Sequence, residues 1–237
     1  MCSLIASWKT PARFREDGIR PSCSTNDVED LPRTERGLVI KSISTTKGHA
    51  AIELANISHV FLDRDGVLNR NPPNGQFVTC WEEFELLPGV EDAVAELNRS
   101  GRKVIVVTNQ RGIALGLYSQ QDLDRMHEQL RPRLAAHGAR LDAIYVCPHD
   151  DGQCSCRKPL TGLFEQAFQD FPAARPENSV MVGDSLRDIE AGSRLGMRTV
   201  LVNGDRETTS KEAVRAASLA TYSVASLQDF VQRFMRS

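Results

Sequence analysis

Short runs rich in valine and isoleucine recur from residue 57 onward, and helical patterns separate them. Strands that alternate with helices in this way form a parallel sheet with helices packed on its faces. We therefore predict an α/β fold, a three-layer Rossmann-like parallel sheet flanked by helices. The predicted strands cover residues 58–62, 103–108, 143–147, 179–182 and 199–202, followed by a short strand at 221–224 and a terminal helix.

Two carboxylates, Asp63 and Asp65, directly follow the first predicted strand. The carboxyl ends of parallel strands are where open α/β sheets bind their ligands. Three further polar signals follow in order along the chain. They are Thr108-Asn109-Gln110 after the second strand, Lys158 before a proline, and Gly183-Asp184 with Asp188 after the fourth strand.

This set of motifs resembles the haloacid dehalogenase-like phosphohydrolases, whose motifs are Asp-x-Asp, a Thr or Ser, a Lys, and Gly-Asp-x-x-x-Asp. The resemblance covers roughly residues 57 to 204. It implies that Asp63 is a nucleophile that forms an aspartyl-phosphate and that Asp65 is the general acid and base. It also implies that Thr108 donates to the phosphoryl group and that the Lys158 ammonium compensates its charge.

The same resemblance implies a catalytic Mg²⁺ ion, since a carboxylate approaches a phosphate dianion only when a cation neutralises charge. Its expected ligands are Asp63, the backbone carbonyl of Asp65, and Asp184, an oxygen-only set that suits this ion. Asp188, one helical turn beyond Asp184, is a further candidate that would join through water or orient the ligands.

A cluster of three cysteines and one histidine, Cys147, His149, Cys154 and Cys156, precedes Lys158. This is the donor set of a closed tetrahedral zinc site, and four protein ligands leave no position for a reacting water. We expect a structural Zn²⁺ that fixes the loop 147–156. A disulfide, or reduced cysteines that merely cluster, are the alternatives.

Residues 66–87 and 148–157 are too few for the cap domains that many of these phosphohydrolases carry. Short loops must then recognise the substrate, and the resemblance narrows to the capless, zinc-loop subfamily. We expect a small phosphorylated sugar as substrate, bound by Asn69, Asn109, Gln110, Arg111 and Arg157.

Two branches of this subfamily remain open. The stretch Gly112-Ile113-Ala114-Leu115-Gly116 resembles the branch that hydrolyses a heptose bisphosphate. Pro72-Pro73 is similar to the histidinol-phosphate branch, and Ser185 stands where the heptose branch often has lysine. A non-catalytic zinc module that binds protein or nucleic acid would explain the cysteines, but it leaves the aspartates without a purpose.

The chain of 237 residues has a formal net charge of -2 and a pI near 6.2, which gives no basic face for nucleic acid. No apolar run is long enough for a membrane span or a signal peptide, so we expect a cytoplasmic monomer. Residues 1–55 lack sustained periodicity and are predicted to be a disordered extension of a phosphatase domain at 56–237.

Overall fold

Six parallel strands form one sheet in a computed structural model that describes residue 54 and residues 56–72, 76–204 and 210–235. The strand order is β3-β2-β1-β4-β5-β6, and every pair in the sheet is parallel. This confirms the predicted α/β fold. The strands are β1 His59–Leu62, β2 Lys103–Asn109, β3 Ala143–Cys147, β4 Ser179–Gly183, β5 Arg198–Val202 and β6 Tyr222–Val224.

Helices connect consecutive strands of the sheet. Ser119 caps the second helix, because its hydroxyl accepts from the backbone N–H of Asp122 while the Asp122 carboxylate accepts from Ser119. The helices are α1 Val90–Arg99, α2 Gln120–Ala135, α3 Gly162–Asp170, α4 Leu186–Arg194, α5 Lys211–Leu219 and α6 Leu227–Phe230, which continues into a π-helical turn, Val231–Met235.

Alternate residues of the central strands pack into different cores, as the period of two along a strand requires. Val60 and Leu62 pack with α1, α2 and α6 on one face of the sheet. Phe61 packs with α3 and with Ala191 of α4 on the other face. The sheet is therefore buried on both sides, which is why its strands read as continuous apolar runs.

The carboxyl ends of β1, β2 and β4 meet at one edge, with β1 in the middle. Leu62 pairs in register with Val106 of β2 and Val182 of β4. The chain reverses its direction of travel across the sheet between β1 and β4, which is the position where such folds bind ligands. Among the described residues of the β1–α1 connection there is only one short 3₁₀ turn, Trp81–Glu83, so no cap domain is seen there.

The predicted extension, residues 1–55, lies outside the described residues except for Leu54. Leu54 is fully buried in the core that contains Val60, and the predicted boundary at residues 55–56 stays a prediction. No helix of the described residues is long and apolar enough to cross a membrane.

Candidate active site

Asp63 stands immediately beyond β1, and its backbone is held to the neighbouring strand. The N–H of Asp63 donates to the carbonyl oxygen of Val182 at 2.9 Å, which extends the β1–β4 ladder by one residue. Its side chain accepts from the N–H of Arg64 at 2.7 Å. The carboxylate is therefore presented at the edge where β2 and β4 also end.

The Lys158 ammonium joins two of the motif carboxylates. Nζ lies 2.9 Å from Asp63 Oδ1 and 2.6 Å from Asp188 Oδ1, and it donates to the carbonyl oxygen of Val107 at 2.7 Å. Lys158 is 2% exposed and Asp188 is fully buried. Burial acts to lower the pKa of Lys158, but the charges of Asp188 and Asp63 outweigh it and raise that pKa above its ordinary value. The lysine therefore stays cationic.

The environment of Asp63 disfavours its charged form, whereas that of Lys158 favours its charged form. Burial and then the negative charge of Asp188 raise the pKa of Asp63 well above its usual range, while Lys158 partly offsets them. The side chains of Asp63, Asp184 and Asp188 lie together near one lysine, so the cluster carries excess negative charge. A site of this kind favours binding of a cation.

Three side chains hold the carboxylate of Asp65. The Arg64 guanidinium contacts both carboxylate oxygens at 2.9 Å, Asn69 Nδ2 donates to Oδ1 at 2.8 Å, and Gln110 Nε2 donates to Oδ2 at 2.9 Å. Burial would raise the pKa of Asp65, but the charge of Arg64 and these hydrogen bonds lower it overall. The two carboxylates of the Asp-x-Asp motif thus differ in electrostatic environment although they are two residues apart.

Arg64 was not among the residues singled out from the sequence. It is 1% exposed, and its guanidinium lies 5.5 Å from the ring centroid of Phe84. A cation on an aromatic face is stabilised by the ring quadrupole, so Phe84 supports the arginine that grips Asp65. The sequence shows an arginine between two acidic residues, but it does not show that this arginine is buried.

Three predicted substrate contacts, Asn69, Asn109 and Gln110, are engaged within the protein. Asn69 is fully buried and Gln110 is 2% exposed, and both bind Asp65. Asn109 clamps the Lys158 backbone, because its Oδ1 accepts from the lysine N–H and its Nδ2 donates to the carbonyl, both at 3.0 Å. These contacts hold Asp65 and the Lys158 backbone in place, and Asn109 and Gln110 also line the cleft over this site. The expectation that the three amides bind the substrate stays a prediction.

Thr108 lies near the end of β2 and is 1% exposed. Its hydroxyl oxygen accepts from Gln110 Nε2 at 2.7 Å. The structure thus brings Thr108 to the same edge of the sheet as Asp63 and Asp65, with one amide between the threonine and Asp65.

Oxygen ligands for a divalent cation converge at the end of β4. Side-chain oxygens of Asp63, Asp184 and Asp188 lie within 4.8 Å of one another. However, Asp188 Oδ1 faces Lys158, and its Oδ2 accepts from the N–H and the hydroxyl of Ser185 at 3.1 and 2.5 Å as the cap of α4. Asp63 and Asp184 therefore fit a hard cation, whereas Asp188 fits the role of orienting Lys158.

Asp184 also accepts a hydrogen bond from a residue that the sequence reasoning missed. Asn71 Nδ2 donates to Asp184 Oδ2 at 2.6 Å, across the cleft from the β1–α1 connection. No motif spacing predicts this contact, since 113 positions separate the two residues.

The four predicted zinc ligands converge at the end of β3. Cys147 Sγ lies 3.5 Å from Cys154 Sγ, Cys154 Sγ lies 3.3 Å from Cys156 Sγ, and His149 Nδ1 lies 3.4 Å from Cys156 Sγ. Thiolates bound to one zinc at about 2.3 Å in a tetrahedron are about 3.8 Å apart. The spacing and the donor chemistry fit a closed zinc site, and no disulfide joins these cysteines.

The two arginines predicted to bind the substrate are held by acidic residues of the loop 147–156. Arg157 Nε donates to Asp151 Oδ1 at 2.6 Å, and Arg111 Nε donates to Asp150 Oδ1 at 2.5 Å. Arg157 is buried, whereas the Arg111 side chain is 40% exposed. Both arginines line an open cleft over this edge of the sheet. An anion in the cleft would compete with Asp150 and Asp151 for the two guanidinium groups.

An open cleft of about 850 Å³ lies over this edge of the sheet. Acidic side chains and Lys158 line its floor, and arginines stand on its rim. The lining includes Asp63, Asp65, Asn71, Asn109, Arg111, Arg157, Lys158, Asp184, Arg187 and Arg215. A doubly wound parallel sheet with an Asp-x-Asp pair, a buried lysine and a third aspartate beneath such a cleft defines the class of carboxylate-dependent phosphohydrolases.

Comparison with known proteins places the chain within that class. The HAD-hydrolase-like family model matches residues 155–230. A D-glycero-beta-D-manno-heptose-1,7-bisphosphate 7-phosphatase of Haemophilus ducreyi is 37% identical over 180 residues, which cover 73% of this chain and 97% of that protein. The corresponding alpha-heptose enzyme of Mycobacterium bovis is 43% identical over 132 residues, or 55% of this chain and 69% of that protein.

The fold matches as well. The crystal structure of a D,D-heptose 1,7-bisphosphate phosphatase from B. bronchiseptica, complexed with magnesium and phosphate, superposes with a TM-score of 0.66 and 32% identity. It covers 75% of this chain and 97% of that one. The chain belongs to the haloacid dehalogenase-like phosphatases, in the group of the heptose 1,7-bisphosphate 7-phosphatases.

Proposed function

We propose that the protein is a Mg²⁺-dependent phosphatase that removes one phosphate from D-glycero-D-manno-heptose 1,7-bisphosphate. The observation that carries this proposal is the arrangement of Asp63, Asp184 and Lys158 beneath an open cleft, in a chain whose relatives bear that name.

Each catalytic side chain has one task in this proposal. Asp63 attacks phosphorus, and the bond from phosphorus to the sugar oxygen breaks as the aspartyl-phosphate forms. Asp65 gives a proton to the departing sugar oxygen and later removes one from the water that hydrolyses the acyl-phosphate. Lys158 and Thr108 stabilise negative charge on the phosphoryl oxygens.

The carboxylates of Asp63 and Asp184, with the Asp65 carbonyl, would hold the Mg²⁺ ion. The ion would lower the repulsion between the nucleophile and the phosphate dianion. Asn71 would orient Asp184, and Asp188 would orient Lys158.

A sugar bisphosphate carries a second phosphate that needs cationic contacts away from Lys158. Arg157 and Arg111 are our candidates, because both line the cleft and both pair with carboxylates at hydrogen-bond distance. Bidentate geometry makes arginine the preferred partner of phosphate. Histidinol phosphate, which has one phosphate, would leave these two side chains without a ligand, and this favours the bisphosphate.

Rates on a panel of substrates test the proposal. We expect kcat/KM to be highest for one anomer of the heptose 1,7-bisphosphate and at least tenfold lower for histidinol phosphate, since one phosphate contact is worth about 1.4 kcal/mol or more. Efficient turnover of histidinol phosphate with none of the heptose would reverse the assignment. Asp63→Asn should abolish hydrolysis and retain zinc, and surviving hydrolysis would refute the aspartyl-phosphate mechanism.

We further propose that Cys147, His149, Cys154 and Cys156 bind a structural Zn²⁺. Arg157 and Lys158 directly follow the last ligand, so the ion would fix the start of the catalytic segment. Cys156→Ser should lower the zinc content measured by atomic absorption and raise KM for the bisphosphate, whereas Cys80→Ser, outside the cluster, should change neither. Full activity of a variant without zinc would contradict this role.

The expectation of a cytoplasmic monomer stays a prediction.

A further inference from the structure

The side-chain amide of Gln110 joins two groups of the reaction. Its Nε2 donates to Asp65 Oδ2 at 2.9 Å and to Thr108 Oγ1 at 2.7 Å. A primary amide nitrogen has two hydrogens, so both are used by these contacts. Because the Thr108 oxygen accepts a hydrogen bond from Gln110, its own hydrogen is free to donate to a phosphoryl oxygen.

Tyr118 holds the other end of this amide. The Tyr118 hydroxyl donates to Gln110 Oε1 at 2.5 Å, and the tyrosine is 7% exposed. With the amide reversed, Oε1 would face the carboxylate of Asp65 and Nε2 would face the tyrosine. A carboxylate only accepts, so Asp65 sets the direction of the amide, and the Tyr118 hydroxyl anchors it by donating to Oε1. Burial raises the pKa of Tyr118 to about 12, so the hydroxyl keeps its proton at neutral pH.

Gly112 explains how Tyr118 comes close enough. A Cβ atom added at Gly112 would overlap Cε1 of the Tyr118 ring, so any larger residue would displace the tyrosine. Gly112 does not need a positive φ angle, and close packing alone accounts for the glycine. The loop after β2 therefore has a structural task beneath the cleft besides forming part of its rim.

We propose that Tyr118 is a positioning residue that acts through Gln110 to orient Asp65 for proton transfer and Thr108 for phosphoryl binding. The proposal rests on the phosphatase function proposed above. Neither Tyr118 nor the loop glycine touches the substrate in this scheme. Tyr118 positions the Gln110 amide, and the amide positions Asp65 and Thr108. Proton donation by Asp65 matters most when the leaving group is a poor one.

The test compares Tyr118→Phe with wild type on a sugar phosphate and on p-nitrophenyl phosphate. The first substrate needs a proton on its leaving oxygen, and the second does not. The ratio kcat/KM reports the steps through the first phosphoryl transfer, before water attacks. We expect kcat/KM for the sugar phosphate to fall roughly tenfold more than for the aryl phosphate, as a partial loss of general-acid catalysis.

Tyr145→Phe is the matched control, because this tyrosine is also buried and donates to Asp170 Oδ2 at 2.8 Å away from the cleft. It should leave the ratio of the two activities unchanged. Gln110→Met, which removes the amide but keeps the length of the side chain, should reproduce the selective loss and decides the matter if Tyr118→Phe fails to fold.

Equal losses on both substrates, or no loss in Tyr118→Phe and Gln110→Met, would overturn the positioning role. Wild-type protein that hydrolyses neither substrate would instead refute the phosphatase function itself.

Discussion

Replacing Lys158 with methionine removes a buried positive charge and keeps an unbranched side chain of similar length. The wild-type ammonium lies 2.9 Å from Asp63 Oδ1 and 2.6 Å from Asp188 Oδ1, and it donates to the carbonyl oxygen of Val107. Because Lys158 is 2% exposed and Asp188 is fully buried, water does not replace the missing charge easily. The variant therefore leaves two carboxylates without their shared cation.

Breaking a buried ion pair by removing one partner costs about 3–5 kcal/mol, because an uncompensated charge stays in the interior. We expect the free energy of unfolding of Lys158→Met to fall by about 4 kcal/mol at pH 7 without added Mg²⁺. Adding Asp188→Asn removes one of the two charges and keeps the shape of the side chain. The double variant should recover about 2 kcal/mol, within the coupling expected of contacting residues.

The loss should also grow with pH. Burial and Asp188 already raise the pKa of Asp63, and Lys158 offsets them. Without the lysine this pKa rises further. A carboxyl group whose folded-state pKa is raised contributes stability when protonated and loses that contribution as pH rises through the folded-state pKa. Lys158→Met should therefore differ less from wild type at pH 5 than at pH 8.

Urea unfolding followed by circular dichroism in buffer without added Mg²⁺ measures these differences across wild type, both single variants and the double variant. Arg125→Met is the control, since its Nη2 lies 3.0 Å from Asp122 Oδ1 and both side chains are exposed, at 65% and 39%. An exposed pair contributes less than about 1 kcal/mol. A loss in Lys158→Met no larger than that of the control, or a double variant no more stable than Lys158→Met, would refute the reasoning.

Gly66→Ala should abolish most activity, because Gly66 has a φ of 84° and an added Cβ would overlap the Asp184 carboxylate. Gly101→Ala has a similar φ of 80° with nothing within 4 Å, so urea unfolding should show comparable strain while its kcat stays normal; equal kcat in both variants would contradict the steric argument. Burial, with the charge of Arg64, lowers the pKa of His127 from 6.5 to about 4. The unfolded chain then binds the proton first as pH falls, so wild type should lose about 3 kcal/mol between pH 6.5 and 4 that His127→Leu does not lose. Parallel stability curves in that range would exclude this assignment.

The fold followed closely from local sequence patterns. Strand β3 has its predicted bounds, and the other strands differ from theirs by one residue at an end. This agreement has a physical cause, since strands buried on both faces read as short apolar runs that end where polar residues begin. Patterns of this kind locate an element along the chain, but they carry no information on which side chains meet across the sheet.

The sequence predicted the location of the candidate site but not the contacts between its side chains, because local patterns carry no information on those contacts. Asp63, Asp65, Asp184 and Lys158 follow strands or a ligand cluster directly, so their convergence could be expected from topology alone. The hydrogen-bond partners of Asn69, Asn109 and Gln110 could not be expected from topology, because such partners depend on burial and distance. Each of these amides lies within four positions of a motif residue, and in the structure each one is hydrogen-bonded to the Asp65 carboxylate or to the Lys158 backbone.

The sequence by itself determined the layered sheet, the edge where the carboxylates gather and the donor set of the zinc loop. Strand patterning and motif order are local properties that need no knowledge of packing. Only the tertiary structure decided that Arg64 grips Asp65, that Asn71 reaches Asp184, and that Tyr118 fixes Gln110. Those contacts depend on hydrogen-bond geometry within a closely packed interior, where separations of a few tenths of an ångström select the partner.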